Sequence, residues 1–215
     1  MIFADNVLKE YLKNVYFITG TPCGGKTTVS KLLSRMYDIP LYDIDSMFDT
    51  HTALSDREHQ PCMNAVFTDA DEFFGRSMEE YLNWLKGVTK EQLSFILLDL
   101  IRLSADTPVI CDCHIDLTVA GLLTEPSRVV FMIKEPINIA DEYCARADHA
   151  DFDRFLHNAA DPEKAKELVN KTLHTLNADN YVAVKRSGYL WIDRSEGLTP
   201  RECAHKAALH FGWKA

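Results

Sequence analysis

The sequence has no uninterrupted apolar run approaching the roughly 20 residues that a membrane-spanning helix needs. Its opening residues, Met1-Ile2-Phe3-Ala4-Asp5, lack the charged and apolar regions of a secretory leader, so a cytoplasmic protein with no membrane partner is expected. Basic charge is scarce as well. Lys and Arg number 23 against 32 Asp and Glu, a net charge of −9, and no Lys/Arg run forms the stripe that a nucleic acid requires. A polymeric anion is thereby disfavoured, whereas a small anion held at short range is not. The six cysteines (Cys23, Cys62, Cys111, Cys113, Cys144, Cys203) show no paired C-x-x-C spacing, which argues for reduced thiols rather than a disulfide frame or a zinc site. A guanine-reading Asn-Lys-x-Asp run is also missing: Asn170-Lys171-Thr172 stops short of the Asp, which argues against a GTPase.

Against these absences stands one motif. Gly20-Thr21-Pro22-Cys23-Gly24-Gly25-Lys26-Thr27 fits G-x-x-x-x-G-K-[ST], directly after the apolar run Val15-Tyr16-Phe17-Ile18. Glycine there lets backbone N–H groups turn inward around phosphate oxygens, and a Cβ at Gly20 or Gly25 is expected to restrict φ/ψ and block close approach. Lys26 offers a point charge to the β- and γ-phosphates, and Thr27 a hydroxyl to Mg²⁺. Val29, Leu32, Leu33 and Met36 fall at i, i+3, i+4 and i+7, so a helix begins near Gly25 and directs its positive end at the anion. Cys23, inside the loop, reads either as an oxidation-sensitive thiol or as a small tolerated residue.

The length of 215 residues suits a single domain, 1–215, carrying insertions. Apolar runs at 15–19, 40–43, 109–112, 128–133 and 189–193 alternate with helical patterns. This predicts an α/β fold: a three-layer, P-loop NTPase-type parallel five-stranded sheet with helices on both faces and ligands at the carboxyl ends of the strands. Residues 5–13 read as a short helix or an irregular arm. Residues 46–105 form a long insertion, irregular and polar over 48–68 and helical beyond. Ser77 with Glu80 and Thr89 with Gln92 read as two capping boxes, separated by a break at Gly87. His51, His59 and Cys62 could form a metal site, although their spacing matches no strong pattern. Asp161-Pro162 opens a long helix, and Thr199-Pro200-Arg201-Glu202 caps the last one.

Acids close two of the strands. Leu41-Tyr42-Asp43-Ile44-Asp45 puts Asp43 and Asp45 where Mg²⁺ and an acceptor hydroxyl would meet, although Asp45 also reads as a helix N-cap. Val109-Ile110-Cys111-Asp112 has the form of a second cation-orienting element, followed by His114, which reads as a loop residue or as an approach to substrate. After the fourth strand, arginines among acids (Arg146 and Arg154 within about 136–160) form either a solvated helix face or a lid. The loop 194–198 is positioned to wall an adenine ring.

These residues resemble the nucleoside monophosphate kinase and shikimate kinase group of P-loop phosphotransferases. The loop 20–27, the pair Asp43 and Asp45 at the required spacing after Lys26, the lid around Arg146 and the closing segment 191–212 carry the resemblance. Arg146-Ala147-Asp148-His149 departs at its last position from the Arg-x-Asp-Asp of adenylate kinase-like lids. The resemblance implies in-line transfer of the ATP γ-phosphoryl group to a small-molecule acceptor, with ATP and Mg²⁺ required. Gly20, Thr21, Pro22, Cys23, Gly24, Gly25, Lys26, Thr27, Thr28 and Arg194 would bind ATP. Thr27 with Asp43 or Asp112 would hold Mg²⁺. Lys26, Asp45, Arg146 and Arg154 would act on the transfer itself. Residues 46–105 would bind a nucleotide or nucleoside-like acceptor. A hydroxylated metabolite, or a nucleotide-binding switch with no acceptor, are the alternatives.

Overall fold

A computed structural model describes residues 4–136, 139–146 and 149–214. In chain order its elements are α1 (Asp5–Tyr11), β1 (Val15–Gly20), α2 (Lys26–Tyr37), β2 (Leu41–Asp43), α3 (Phe48–Leu54), α4 (Ala70–Phe74), α5 (Met78–Leu103), β3 (Val109–Asp112), α6 (Leu117–Leu123), β4 (Val129–Ile133), α7 (Ile139–Cys144), α8 (Ala150–His157), α9 (Pro162–Lys185), β5 (Leu190–Asp193) and α10 (Pro200–His210). The five apolar runs become the five strands to within a residue at each end. They pair in parallel in the order β2-β3-β1-β4-β5.

That order makes β1 central and puts β3 and β4 on either side of it. The connection from β3 to β4 therefore passes over β1 and opens a crevice at the carboxyl end of β1, the place where open α/β sheets bind ligands. Alternation along the strands builds two covered faces. Ile18, Val130, Met132 and Ile192 meet Val29 and Leu33 of α2 and Ala204, Ala207 and Ala208 of α10. Phe17 and Phe131, which point the opposite way, are equally buried. Strands buried on both faces need continuous apolar runs, which is why β3 and β4 show no polar alternation.

Two compact units emerge from the described chain. The first comprises Met1–Phe48, Ser94–Glu135 and Asn180–Ala215 and holds the sheet; the second comprises Asp49–Leu93 and Pro136–Asp179. The second unit has an aromatic interior. Phe67, Phe73, Tyr81, Trp84 and Phe155 form a chain of edge-on ring contacts with centroids 4.9–5.8 Å apart. The Arg76 guanidinium lies 4.3–4.9 Å from the rings of Phe67, Phe73, Tyr81 and Trp84, and its Nε donates to the Phe73 carbonyl at 2.8 Å.

Three local expectations are corrected. Residues 48–54 are helical (α3), so the irregular stretch is shorter than its composition suggests. No break occurs at Gly87: α5 runs unbroken from Met78 to Leu103. Glycine is needed there because a Cβ would strike the Cys62 sulfur. The Cys62 turn is fastened to α5 on both sides of that contact, by the Trp84 indole N–H on the Cys62 carbonyl at 3.0 Å and by Glu91 accepting the Cys62 and Met63 N–H groups. The supposed second capping box also disappears, since the Thr89 hydroxyl donates back to the Leu85 carbonyl at 3.1 Å, within the helix. The box at Ser77 and Glu80 is present, as is the one at Thr199 and Glu202.

Candidate active site

The turn after β1 is bolted to the end of β4. Thr21 N–H donates to the Met132 carbonyl at 3.0 Å, and the buried Thr21 hydroxyl accepts the Lys134 N–H at 3.0 Å. A Cβ at Gly20 or at Gly24 would overlap that Met132 carbonyl, and Gly20 has φ +126°. The close approach that demands glycine is thus at Gly20 and Gly24. At Gly25 the demand is conformational, with φ +88° at the N-cap of α2; a Cβ there would meet the Arg194 side chain at an ordinary 3.7 Å. Cys23 is buried at φ 57°, and its carbonyl accepts Arg194 Nη1 at 3.0 Å. Arg194 therefore sits on the loop itself, at the start of the turn Arg194–Glu196. Pro22 is half-buried in the loop, and Thr28 is exposed on the first turn of α2.

Lys26, the first residue of α2, is only 6% exposed and donates through Nζ to the Thr21 carbonyl at 3.0 Å. Asp43 and Asp112, the last residues of β2 and β3, are register partners. Asp112 is buried, and its Oδ2 has no hydrogen-bond partner. Burial pushes its carboxyl above the usual carboxylate range; Lys26, the Thr27 hydroxyl and His114 pull it back, and Asp43 adds to the rise. An unpaired acceptor buried in this way costs about 1–3 kcal/mol. A hard divalent cation suits such a place, because Mg²⁺ takes oxygen ligands and is commonly held by one or two carboxylates together with substrate phosphates. Asp112, Asp43 and Thr27 fit it.

Asp45 lies just beyond Asp43 and does not cap a helix. The turn Asp45–Met47 has Ile44 at its N-cap, without a side-chain bond. Asp43 organises this turn instead: its carboxylate accepts the Asp45 N–H at 3.1 Å and its carbonyl accepts the Ser46 hydroxyl at 2.7 Å. The Asp45 carboxylate is exposed and meets His114 Nε2 at 3.3 Å.

Other candidates are not brought together. His51 is buried against Gln92 at 3.2 Å, exposed His59 pairs with Asp56, and Cys62 faces Gly87. They form no metal site, and among the described residues no group of three His, Cys, Asp or Glu is placed to hold an ion. Arg146 and Arg154 belong to the second unit. Arg146 follows α7, with its carbonyl accepting the His149 N–H, and Arg154 on α8 pairs with Asp151 one turn before it. Ala147 and Asp148, the middle of the lid motif, lie outside the described residues.

Sequence reasoning missed one buried polar centre. Asp193, the last residue of β5, accepts the Tyr181 hydroxyl at 2.7 Å, Lys185 Nζ at 2.8 Å and the Ser195 N–H at 2.9 Å. Burial alone would raise this carboxyl, but the bonds from Lys185, Tyr181 and Ser195 outweigh it and hold the group below the usual range. The available signal was positional: β2, β3 and β5 all end on Asp.

Together, the loop after a central β1, the lysine opening α2 and the strand order define a P-loop NTPase-type α/β fold. Solved structures similar to the chain include a Chloroflexus aurantiacus protein whose description goes no further than kinase, at 14% identity and a TM-score of 0.49, over 91% of this chain and 97% of that one. A gluconokinase from Sinorhizobium meliloti matches at 14% identity and a TM-score of 0.42, over 92% of this chain and 90% of that one. A shikimate kinase from Aquifex aeolicus matches at 18% identity and a TM-score of 0.40, over 92% of this chain and 96% of that one. No protein-family model and no curated protein matches the chain. At TM-scores below 0.5 these likenesses transfer no activity to this chain.

Proposed function

We propose that the protein is a phosphotransferase that moves the γ-phosphoryl group of ATP, with Mg²⁺, to a hydroxyl of a small molecule. The supporting observation is a succession of neighbours: Lys26 and the Thr27 hydroxyl act on the Asp112 carboxyl, Asp112 and Asp43 are register partners, and the Asp43 carboxylate accepts the N–H of Asp45. The phosphate loop and the candidate base thus occur within one unit, beyond the carboxyl ends of strands of the same sheet. Lys26 and the amides of the loop 20–27 hold the β- and γ-phosphates, with Arg194 fixing the loop from behind. Thr27, Asp43 and Asp112 would hold Mg²⁺, which when bound would neutralise charge developing on the phosphate oxygens. Asp45 orients the acceptor hydroxyl and takes its proton as the new O–P bond forms and the bond to the β–γ bridging oxygen breaks, leaving ADP. Arg146 and Arg154 are the proposed clamp on the transferring group. Releasing Arg154 from its exposed partner Asp151 costs little, since surface pairs contribute about 0–1 kcal/mol.

The insertion favours a hydroxyl over a phosphate acceptor. An acceptor phosphate calls for available arginines there. Arg76 is enclosed by four rings and Arg102 pairs with Asp99, while Arg57 stands on an exposed turn. A nucleoside-like compound and another hydroxylated metabolite both satisfy the site, whereas a nucleoside monophosphate needs arginines the insertion does not present together. The test is ATP consumption with Mg²⁺ over a panel of nucleosides, nucleoside monophosphates and polyhydroxylated metabolites. Turnover that depends on acceptor and metal is expected, lowered about 10²–10³-fold in Lys26→Ala. Full turnover in that variant would sink the assignment, and nucleotide binding without turnover across the panel would favour a switch.

A further inference from the structure

Asp45 and His114 approach each other from two different strands, and each stands on a segment tied down nearby. The turn carrying Asp45 is fixed by the Ile44 N–H on the Asp112 carbonyl at 3.3 Å and by the Asp45 N–H on the Asp43 carboxylate. His114 is pinned through both of its chain neighbours. The Cys113 N–H donates to the Ile18 carbonyl at 3.0 Å, and the Ile115 carbonyl accepts the buried Thr19 hydroxyl at 2.7 Å. Both of those partners lie on central β1, so the imidazole is referenced to the same strand that carries the phosphate loop.

We propose that His114 is a positioning residue that sets the Asp45 carboxylate toward the acceptor hydroxyl; this rests on the reading of Asp45 given above. A carboxylate accepts and does not donate, so the 3.3 Å contact requires a hydrogen on Nε2. The side chain of Asp45 is 64% exposed and that of His114 40%. The Nε2–H, carried on an anchored backbone, limits the rotation of this exposed carboxylate. Orientation of this kind acts on the rate of the chemical step, because a misplaced reacting group loses near-attack geometry while substrate binding persists.

The test needs no identified acceptor. Water serves as the acceptor in Mg·ATP hydrolysis, measured for wild type, Asp45→Asn, His114→Ala, His114→Gln and the Asp45→Asn/His114→Ala double variant. The proposal expects a fall in kcat of about a hundredfold for Asp45→Asn and about tenfold for His114→Ala, with KM for Mg·ATP within about twofold. Glutamine, which keeps an N–H donor, should restore most of the loss, and the double variant should be no slower than Asp45→Asn alone. A normal kcat in His114→Ala, or additive losses in the double variant, would overturn the positioning role alone. An unaltered rate in Asp45→Asn would overturn the reading of Asp45 and His114 together. A second readout does not depend on turnover. Long-range ¹H–¹⁵N spectra at about pH 8, above the ordinary histidine range, should find His114 as the Nε2–H tautomer and should change in Asp45→Asn. A hydrogen on Nδ1 would contradict the proposal.

Discussion

The two units treat charge differently. In the sheet unit Lys26, Asp112 and Asp193 are buried, held by backbone carbonyls, hydroxyls and one another at the carboxyl ends of the strands. In the second unit the ion pairs Asp141–Lys166, Glu167–Lys171, Asp151–Arg154 and Asp56–His59 lie at the surface, and the interior is filled by aromatic rings around Arg76. Burying an ionisable group is costly unless it is paired, so a fold keeps it where chemistry or a close structural tie requires it. Surface pairs can be rearranged at little cost. The contrast is between a unit whose charges are buried and tied down and one whose ion pairs lie at the surface.

The largest effect expected from this contrast is at Gly20. Gly20→Ala places a Cβ on the Met132 carbonyl at φ +126° and should cost at least about 3 kcal/mol, lowering Tm by about 6–12 °C in thermal unfolding. A shift under 2 °C would mean that the loop is not bolted to β4 as described. Next is Asp193→Asn, expected to cost about 2 kcal/mol near neutral pH. The folded carboxyl lies below its unfolded value, so its stabilisation is complete above about pH 4 and disappears as pH falls through the folded pKa. Denaturant titrations from neutral to strongly acidic pH should therefore show the two proteins converging at low pH; a constant gap would contradict the buried pairing. The smallest effect belongs to the second unit. Gly87→Ala gains helix propensity but drives a Cβ into the Cys62 sulfur, for a net loss of about 1 kcal/mol that Cys62→Ala should relieve. If Gly87→Ala proved as damaging as Gly20→Ala, the contrast in rigidity between the two loci would fail.

The sheet unit was the more legible of the two in the sequence. Its strands are continuous apolar runs bounded by turns, and the phosphate loop specifies its residue types at fixed positions. Asp112 could be placed because it closes such a run, and the same rule applied to Leu190–Asp193 would have found Asp193. The second unit was harder to read because its order comes from long-range ties. Gly87 looks like a helix break until Cys62 is seen against it, and 48–54 is too short a helix for its periodicity to stand out. The same brevity hides α6, whose Asp116 cap accepts the Val119 N–H at 2.8 Å. The pairing of Asp45 with His114 joins residues 69 positions apart, and no local pattern announces it.

The most direct measurement is the thermal midpoint of the protein with Mg²⁺ and a nonhydrolysable ATP analogue, compared among wild type, Lys26→Ala and Asp112→Asn. At a hundredfold excess over its Kd the analogue should stabilise wild type by about 2.7 kcal/mol, or about 5–11 °C. Lys26→Ala should lose most of that shift, and Asp112→Asn should lose its dependence on Mg²⁺. An unshifted wild type, or an undiminished shift in Lys26→Ala, would contradict the donor site on which the whole account depends.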